Sequence, residues 1–323
     1  MERHSQMILE PSFIQQVIRE ISRIENISKD KVGVRKHSGG YLNETYILTY
    51  HDTDYFLWIN RDPDNRKINR QLNVLDILRR NGHKVPSLVV SKSDRESENY
   101  IVTKRLHGEN LEQALPSMST AQKEKYFYKM GQLLSTIHFT QINNRSGYIG
   151  DECSYSTWQE FLLQQLGNYV SLLEKQPVFQ GVNREELSLL IKFFNSCITK
   201  LPSSPVFHLL HGDYYGGNIL FSQEGLTGLV DFEWSLWGER EYDFRVMETF
   251  QFESTELSLA FYQGYRDHYP IPEGFEERVP FYKSFYYFEL LWMTYKYFSG
   301  EKKQSDYYLA QLYEMKKILK GRC

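Results

Sequence analysis

Apolar residues in the first hundred positions follow one helical spacing and then a series of short runs. Over residues 8–24 they recur near every third or fourth position, which predicts an opening helix. Residues 32–50 hold two apolar runs separated by Gly39-Gly40, a pattern that predicts strand, glycine turn and strand. Residues 55–61 predict a further strand, and residues 68–80 predict the helix that follows it.

The rest of the chain is predicted to be mainly helical, with short strands around one polar segment. Val85-Pro86 ends the second helix and starts a strand, because proline cannot continue a helix. An apolar strand at 99–111 then runs into a glycine-containing turn. After residue 111 the predicted helices cover 126–138, 156–172 and 185–199, and the predicted short buried strands cover 206–210, 219–221 and 226–230.

Length and composition are those of a globular protein with two domains or lobes. The chain has 323 residues, of which 41% are hydrophobic and 15% aromatic. Its net charge of -3 argues against a dedicated nucleic-acid binder. Residues 1–105 carry a net charge of +4 and residues 106–323 one of -7, a distribution that would suit an anionic ligand and a cationic ligand respectively.

The sequence predicts neither a membrane span nor a targeting segment. No stretch reaches the roughly 18 apolar residues of a spanning helix, and the first residues contain no apolar run. Cys153, Cys197 and Cys323 lack the spacing of metal ligands and are expected to be free thiols. We therefore expect a cytoplasmic protein with no membrane partner and no nucleic-acid partner.

Polar side chains cluster where the short strands end. His211-Gly-Asp213 follows the run at 206–210, and Asn218 and Asp231 flank a predicted hairpin that turns at 223–225. Phosphoryl transfer needs a carboxylate that accepts the proton of the attacking hydroxyl, together with amide and carboxylate oxygens that hold magnesium. Asp213 is therefore the candidate catalytic residue, and Asn218 and Asp231 are the candidate metal ligands.

These residues resemble the catalytic and metal motifs of the aminoglycoside phosphotransferase and choline kinase superfamily. The motifs read His211-Gly-Asp213-x4-Asn218 and Val230-Asp231-Phe-Glu233. The resemblance implies an α+β, protein-kinase-like fold, with a small β-rich nucleotide-binding lobe at 1–105 and a larger, mainly helical lobe at 106–323. It also implies ATP or GTP and Mg²⁺ as cofactors. His211 is expected to brace the catalytic loop, and Asp243 is expected to anchor it.

The same resemblance assigns nucleotide contacts to the first lobe. Ser38, Gly39 and Gly40 form a glycine turn whose backbone N–H groups could approach the phosphates closely. Thr103 and Arg105 lie in a segment similar to the superfamily's hinge between lobes, where backbone groups bind the purine.

Two residues of this lobe depart from the superfamily's usual pattern. Trp58 stands where the third strand usually carries a lysine, and Gln71 stands where the next helix usually carries a glutamate. One explanation is a substitute cation from Arg35, Lys36 or Arg61. A second is that backbone, magnesium and aromatic stacking hold the nucleotide, with Trp58 among its contacts. The third is weakened catalysis.

Candidate acceptor contacts come from acidic and aromatic residues in the second lobe. Residues 231–256 hold eight acidic side chains against two arginines, which makes Glu233 a candidate contact for an amine. Late helices cover the acceptor pocket in related kinases, so Glu289 and Trp292 are also candidates. The stretch at 274–300 is similar to fructosamine kinases, although more loosely.

The predicted function is transfer of the gamma-phosphate of ATP or GTP to a hydroxyl of a small molecule. The acceptor is expected to be amine-bearing or sugar-like, such as an aminoglycoside-type antibiotic. Two alternatives stay open: a degenerate kinase-fold binding protein without turnover, and a metabolic kinase of the ketoamine or choline type. A protein kinase ranks last, because the sequence carries no activation-segment signature.

Overall fold

The first lobe is built on a five-stranded antiparallel sheet. The structure, a computed structural model, describes residues 11–28, 32–37, 43–62, 66–93, 98–152, 154–176, 184–202 and 204–320. The five strands are β1 Gly33–Lys36, β2 Glu44–Tyr50, β3 Thr53–Ile59, β4 Ser87–Lys92 and β5 Tyr100–Lys104. Their order across the sheet is β1-β2-β3-β5-β4. Strands therefore form at the stretches where the apolar runs predicted them.

The sheet has two faces with different partners, because successive side chains of a strand point to opposite sides. On one face, Leu48 and Leu57 are buried against Val17 and Ile21 of helix α1, Pro11–Glu25. The apolar spacing that predicted the opening helix is thus the stripe that covers this face. The second face points away from α1 and toward the rest of the molecule.

Helix α2, Arg66–Arg80, lies at the junction of the two lobes. Near its start, Ile68 packs with Trp58 and Ile101 on the second face of the sheet. Near its end, Leu78 belongs to the hydrophobic core of the second lobe. A single helix therefore packs against both lobes and fixes their relative position at this point.

The second lobe is mainly helical. Its long helices, in the described part of the chain, are α3 Thr120–His138, α4 Trp158–Leu173, α5 Arg184–Thr199, α6 Thr255–Arg266, α7 Phe275–Tyr297 and α8 Lys302–Leu319. Shorter helical turns lie at Leu111–Ala114, Leu115–Ser117, Gly216–Asn218, Arg240–Asp243, Phe244–Val246 and Met247–Gln251. Capping boxes at Ser119 and Thr157 explain where α3 and α4 begin, since each side chain satisfies a free backbone N–H of the first turn.

Two small sheets carry the polar segment of the second lobe. One has the order β11-β10-β6 and consists of β6 Glu109–Asn110, β10 Ile219–Ser222 and β11 Gly225–Leu229. The other has the order β7-β9-β12-β8 and consists of β7 Ile142–Asn143, β8 Gly147–Tyr148, β9 Phe207–Leu210 and β12 Leu236–Gly238. The hairpin of β10 and β11 matches the predicted turn. The connections that follow β9 and β11 carry the predicted catalytic and metal residues.

The aromatic residues of α7 fill the core of the second lobe. Phe281, Phe285 and Phe288 are at most 2% exposed, and they belong to the same core cluster as Trp158 and Phe194. Aromatic rings bury large apolar areas, so this cluster accounts for much of the unusual aromatic content.

Two properties expected from the sequence can be compared with the structure. Among the described residues, no helix is both long enough and apolar enough to cross a membrane. Cys197 is buried and disulfide-bonded, so the expectation that all three cysteines are free thiols is wrong.

The predicted lobe boundary at residues 105 and 106 falls in the connection between β5 and β6 and stays a prediction.

Helices α3 and α6 approach each other closely through two glycines. A Cβ on Gly131 would lie 1.9 Å from the carbonyl oxygen of Phe261, and one on Gly264 would lie 1.9 Å from that of Tyr128. We expect Gly131→Ala to lower the free energy of unfolding by about 1–3 kcal/mol, because an overpacked core must shift its backbone. Urea denaturation measures the change.

Gly167→Ala in α4 is the matched control for this substitution. Apart from the backbone of α4 itself and the two adjoining residues, no described heavy atom lies within 4 Å of the position where its Cβ would be. Alanine at this position should stabilise the protein by roughly 0.5–1 kcal/mol, because glycine in a helix loses more backbone entropy on folding. Unchanged stability of Gly131→Ala would contradict the close approach of the two helices.

Candidate active site

A sharp turn after β9 presents the first predicted catalytic residues. Gly212 has φ +84°, in the left-handed region that favours glycine. A Cβ at this position would lie 2.0 Å from the carbonyl oxygen of Trp234. The glycine of the His-Gly-Asp sequence is therefore required twice, once by the backbone conformation and once by the neighbouring chain. It places His211 and Asp213 on either side of the turn.

Asp243 holds this turn from inside the lobe. Its two carboxylate oxygens accept the backbone N–H groups of His211 and Gly212, each at 2.7 Å. His138 Nε2 lies 3.1 Å from the oxygen that His211 uses, and His138 and Asp243 are both fully buried. Burial opposes ionisation of Asp243, but the hydrogen bond and charge of His138 outweigh it and lower the pKa of Asp243. This geometry is the one that a loop anchor needs.

We expect Asp243→Asn to destabilise the protein. An asparagine can accept with one oxygen, but its NH₂ group then faces a backbone N–H, and a buried donor without a partner costs about 1–3 kcal/mol. The carboxylate's advantage should be complete above the ordinary aspartate pKa of about 3.9 and disappear as the pH falls through the lower folded-state pKa. Denaturation of both proteins across this range checks the prediction. A pH-independent difference would contradict it.

Two predicted acceptor contacts on α7 have different surroundings. Glu289 is buried, with Arg245 Nη2 3.0 Å from Glu289 Oε2, and the same Arg245 Nη2 donates to the carbonyl of Gly212 at 2.8 Å. Glu289 therefore lies behind the catalytic turn and supports it through Arg245. Trp292 is half-buried, and its ring centre lies 5.3 Å from that of Tyr169.

Asp213 is half-buried and touches Asn218. The Asn218 side-chain N–H₂ donates to the Asp213 carbonyl at 2.8 Å and to its carboxylate at 3.1 Å. Burial raises the pKa of Asp213 to about 6, while the charge of Arg245 and the hydrogen bond from Asn218 oppose the rise. The carboxylate is therefore mostly ionised at neutral pH and more basic than an ordinary aspartate.

Asp231 follows β11 in a left-handed conformation, with φ +67°. Its side chain is accessible to solvent although protein atoms surround it. Desolvation, followed by the charges of Glu233 and Asp213, raises the pKa of Asp231 well above its ordinary value, and the charge of Lys67 opposes this rise. The structure thus brings the predicted catalytic carboxylate and metal carboxylate into electrostatic contact.

His211 ties the catalytic turn to the strand that leads to Asp231. Its Nε2 lies 3.1 Å from the carbonyl oxygen of Val230. Burial lowers the pKa of His211 to about 4, so the imidazole is neutral at physiological pH and donates to that carbonyl. The bond joins the two segments, and the role of His211 as a brace of the loop stays a prediction.

The side-chain oxygens of the site fit Mg²⁺. Asn218 offers an amide oxygen, and Asp231 and Asp213 offer carboxylates. Among the residues that the structure describes, no group of three or more His, Cys, Asp or Glu side chains is placed to hold a metal. Mg²⁺ is usually held by one or two carboxylates and completes its shell with phosphate oxygens and water. Asn218 and Asp231 would supply two oxygen ligands of this kind.

The predicted nucleotide contacts have different outcomes. Residues 38–40 lie outside the described residues. Trp58 and Thr103 are 6% and 5% exposed, and both belong to the second face of the sheet. Arg105 donates to Asp54 at 2.9 Å, so the structure places its guanidinium against the beginning of β3.

One of the three cations predicted to replace the strand lysine is already paired. Arg61 Nη1 lies 2.5 Å from Glu98 and its Nη2 lies 3.3 Å from Glu44. Arg35 and Lys36 are exposed on β1, at the edge of the sheet. The structure therefore does not place any of them in a buried position at the junction of the lobes.

Sequence reasoning missed Lys67 and Arg70 on the first turns of α2. Lys67 Nζ lies 3.1 Å from Asp62 Oδ2 and 3.7 Å from Glu233 Oε1. Arg70 Nη1 donates to the carbonyl of Glu233 at 2.7 Å. Gln71, which was predicted to be a supporting residue, has a buried Oε1 without a hydrogen-bond partner in the described part of the chain. The available sequence signal was the presence of basic residues within one helical turn of Gln71.

The acidic excess at 231–256 is partly neutralised by ion pairs with other residues of the chain. Glu241 forms an ion pair with Arg278, and Glu253 lies 2.9 Å from Lys123. Glu233, predicted to contact the acceptor, is 5% exposed and faces Lys67. A count of acidic residues in the sequence therefore overstates the negative charge that a ligand would meet.

Known proteins with similar sequences are phosphotransferases. Residues 33–277 match the model of the phosphotransferase enzyme family, APH. A protein of Vibrio vulnificus named "Probable ketoamine kinase" is 26% identical over 283 residues, which cover 84% of this chain and 90% of that protein. A Staphylococcus aureus protein of the same name is 25% identical over 266 residues, which cover 79% and 85% of the two chains.

Solved structures show the same fold. A Haemophilus somnus protein that carries the name fructosamine-3-kinase has a TM-score of 0.70 at 16% identity and covers 93% of this chain and 96% of that one. Aminoglycoside phosphotransferase APH(4)-Ia has a TM-score of 0.69 at 12% identity, with coverage of 93% and 98%. These similarities confirm the predicted two-lobe, kinase-like α+β fold. Since the family model spans most of the sequence, the chain belongs to the APH phosphotransferase enzyme family.

Proposed function

We propose that this phosphotransferase is a kinase that moves the gamma-phosphate of ATP or GTP to a hydroxyl of a small, sugar-like ketoamine. The observation that carries the chemistry is the environment of Asp213. Its carboxylate is half-buried, its pKa is raised to about 6, and it lies beside Asn218 and near Asp231. The relatives named as ketoamine kinases, which cover about four fifths of the chain, support the acceptor class.

In the proposed reaction, Asp213 accepts the proton of the acceptor hydroxyl. That hydroxyl oxygen forms a bond to the gamma-phosphorus while the bond from this phosphorus to the beta–gamma bridging oxygen breaks, and a nucleoside diphosphate leaves. Asn218 and Asp231 would hold Mg²⁺, which supplies neutralising charge for the phosphates when bound. Asp243 and Arg245 hold the catalytic turn from inside the lobe, so that Asp213 keeps its orientation.

An aromatic surface close to Asp213 suits a sugar-like acceptor. Tyr286 is 7% exposed, and burial, followed by the charge of Asp213, raises its pKa well above its ordinary value. Phe250 is 48% exposed, and its ring centre lies 6.0 Å from that of Tyr286. The exposed ring of Phe250 can pack against the C–H groups of a sugar.

An aminoglycoside is the second candidate acceptor. Solved structures of similar fold contain hygromycin B in APH(4)-Ia and gentamicin in APH(2")-IIa. Several acidic side chains that could attract a polycationic drug are instead buried and paired within this protein, including Glu233, Glu241 and Glu289. We therefore place a ketoamine, which carries a single amine, ahead of a polyamine antibiotic.

A screen for phosphoryl transfer tests the proposed function. The purified protein is incubated with Mg²⁺, ATP or GTP, and a panel of fructosyl-amines, amino sugars and aminoglycosides, and nucleotide consumption is measured. We expect Mg²⁺-dependent consumption with fructosyl-amines and a phosphorylated product detectable by mass spectrometry. If the nucleotide binds but no acceptor stimulates its consumption, the chain acts as a binding protein without turnover.

A further inference from the structure

The nucleotide lobe lacks the lysine and glutamate that join the third strand to the next helix in related kinases. Trp58 occupies the strand position and packs against Ile68 and Ile101. At the helix position, the side-chain oxygen of Gln71 is buried and has no hydrogen-bond partner among the described residues. Contacts other than a strand-to-helix ion pair must therefore fix α2.

Lys67, one turn before Gln71, supplies a buried positive charge at the junction of the lobes. Its side chain is 4% exposed, and its Nζ lies 3.1 Å from Asp62 Oδ2 and 3.7 Å from Glu233 Oε1. The Nζ also lies 4.3 Å from the centre of the Trp234 ring. These contacts are ion pairs without hydrogen-bond geometry, because the buried Nζ has no hydrogen-bond partner among the described residues. A buried ammonium is costly unless it is paired, so the two carboxylates and the ring still favour this position of Lys67.

Contacts with Glu233 fix the segment that carries Asp231. The second carboxylate oxygen of Glu233 accepts from Asn43 Nδ2 at 3.0 Å, and its backbone carbonyl accepts from Arg70 at 2.7 Å. Glu233 is two residues after Asp231, so a displacement of Glu233 would displace Asp231. Residues of α2 and of the sheet lobe therefore hold the same short segment.

We propose that Lys67 takes over the positioning role of the missing strand lysine by holding Glu233, and through it Asp231, in the geometry that binds the Mg²⁺–nucleotide complex. This inference rests on the proposed function. The usual ion pair joins a lysine on the strand to a glutamate on the helix. Here the cation is on the helix, and the carboxylate is on the segment that carries Asp231. Lys67 is thus a positioning residue for Asp231 and makes no contact with the phosphates.

Electrostatic repulsion explains why the segment needs a cation. Lys67 lies between two carboxylates, 3.1 Å from that of Asp62 and 3.7 Å from that of Glu233, and Asp231 adds a third negative charge two residues before Glu233. Without Lys67, Glu233 would be a buried carboxylate next to other negative charges, and the segment would relax toward solvent. Asp231 would then lose its position even though its own side chain is unchanged.

Lys67→Met tests this inference, since methionine keeps an unbranched apolar side chain against Trp234 and removes the charge. Calorimetry measures the affinity for AMP-PNP with and without Mg²⁺, and thermal unfolding measures stability. We expect the gain in affinity that Mg²⁺ provides to fall by about 10–100-fold, the usual effect of removing a residue that supports a metal ligand. Affinity without Mg²⁺ should stay close to that of the wild type. This readout needs no acceptor and no turnover.

Lys296→Met is the matched control. Its Nζ lies 3.9 Å from the same Asp62, but no ion pair within 4.0 Å joins it to Glu233 in the described residues. Its Mg²⁺-dependent gain in affinity should equal that of the wild type. The double variant Lys67→Met/Glu233→Gln also removes the charge of Glu233, and Asp62 keeps its contacts with Tyr297 at 2.8 Å and Lys296 at 3.9 Å, so it should fold even if Lys67→Met does not. The double variant should lose the same Mg²⁺-dependent gain in affinity as Lys67→Met, because both substitutions remove the same contact between residues 67 and 233.

Three results would overturn the inference. An unchanged Mg²⁺-dependent gain in Lys67→Met, with or without a lower melting temperature, would show that the ion pair only stabilises the fold. A loss of affinity that is equal with and without Mg²⁺ would show a direct contact with the phosphates. A wild-type protein that gains no affinity from Mg²⁺ would contradict the proposed metal-dependent function itself, before any variant is compared.

Discussion

Replacing Asp213 by asparagine should slow phosphoryl transfer by about 10²–10⁴-fold, the range expected for loss of a general base. The amide has nearly the same size as the carboxylate but cannot accept the hydroxyl proton. The backbone turn at Gly212 and its bonds to Asp243 do not involve the Asp213 side chain. We therefore expect the variant to fold and to bind nucleotide, and to lose turnover.

Initial rates at saturating nucleotide and acceptor measure this effect, and calorimetry with AMP-PNP measures binding. Asp267→Asn is the control, since it makes the same aspartate-to-asparagine change at another position. Asp267 caps the end of α6 and accepts hydrogen bonds from Tyr128 and Gln263. It should retain wild-type turnover. Turnover of Asp213→Asn within tenfold of the wild type would contradict the base role and leave Asp213 as an orienting group at most.

Replacing Asp231 by asparagine should reduce turnover by about 10²–10³-fold, the size typical of losing one strong electrostatic contact in a transition state. Asparagine tolerates left-handed backbone conformations better than most residues, so the φ of +67° should be preserved. The variant loses the negative charge that attracts Mg²⁺ but keeps an amide oxygen. We therefore expect Asp231→Asn to need a much higher Mg²⁺ concentration than the wild type for half-maximal activity.

Titration of activity with Mg²⁺ at fixed nucleotide checks this prediction. Asp76→Asn on the exposed side of α2, where Asp76 pairs with Arg80, supplies the control and should show the wild-type Mg²⁺ dependence. A variant at Asp231 with lower turnover and an unchanged Mg²⁺ dependence would show that Asp231 acts in another way. The metal site would then have to be sought among other oxygen donors of the cleft.

The positions of the catalytic and metal candidates could be predicted because they depend on short-range patterns. A buried strand followed by a tight glycine turn places Asp213, and a hairpin of fixed length brings Asn218 and Asp231 to its same end. The structure shows the expected strand-and-hairpin geometry, with the Val230 N–H donating to the Asn218 carbonyl at 3.0 Å. Local spacing was sufficient here because residues close in sequence are also close in space.

The environment of the acidic residues could not be predicted in the same way. Glu233 and Glu289 looked like free negative charges because the sequence does not show which cation lies beside each. In the folded chain, Glu233 faces Lys67 and Glu289 faces Arg245. The first of these pairs connects residues separated by 166 positions, and such contacts depend on how the lobes pack.

The sequence by itself determined the α+β pattern, the glycine turn at 212 and the catalytic and metal candidates, since strand period, turn chemistry and motif spacing are local properties. Only the tertiary structure decided how the first lobe is joined to the segment that carries Asp231. Trp58 is part of a packed apolar cluster, and the cations at the junction are Lys67 and Arg70 of α2. The reason is physical: a buried charge is stable only where distant parts of the chain bring it a partner, and no local pattern records that partner.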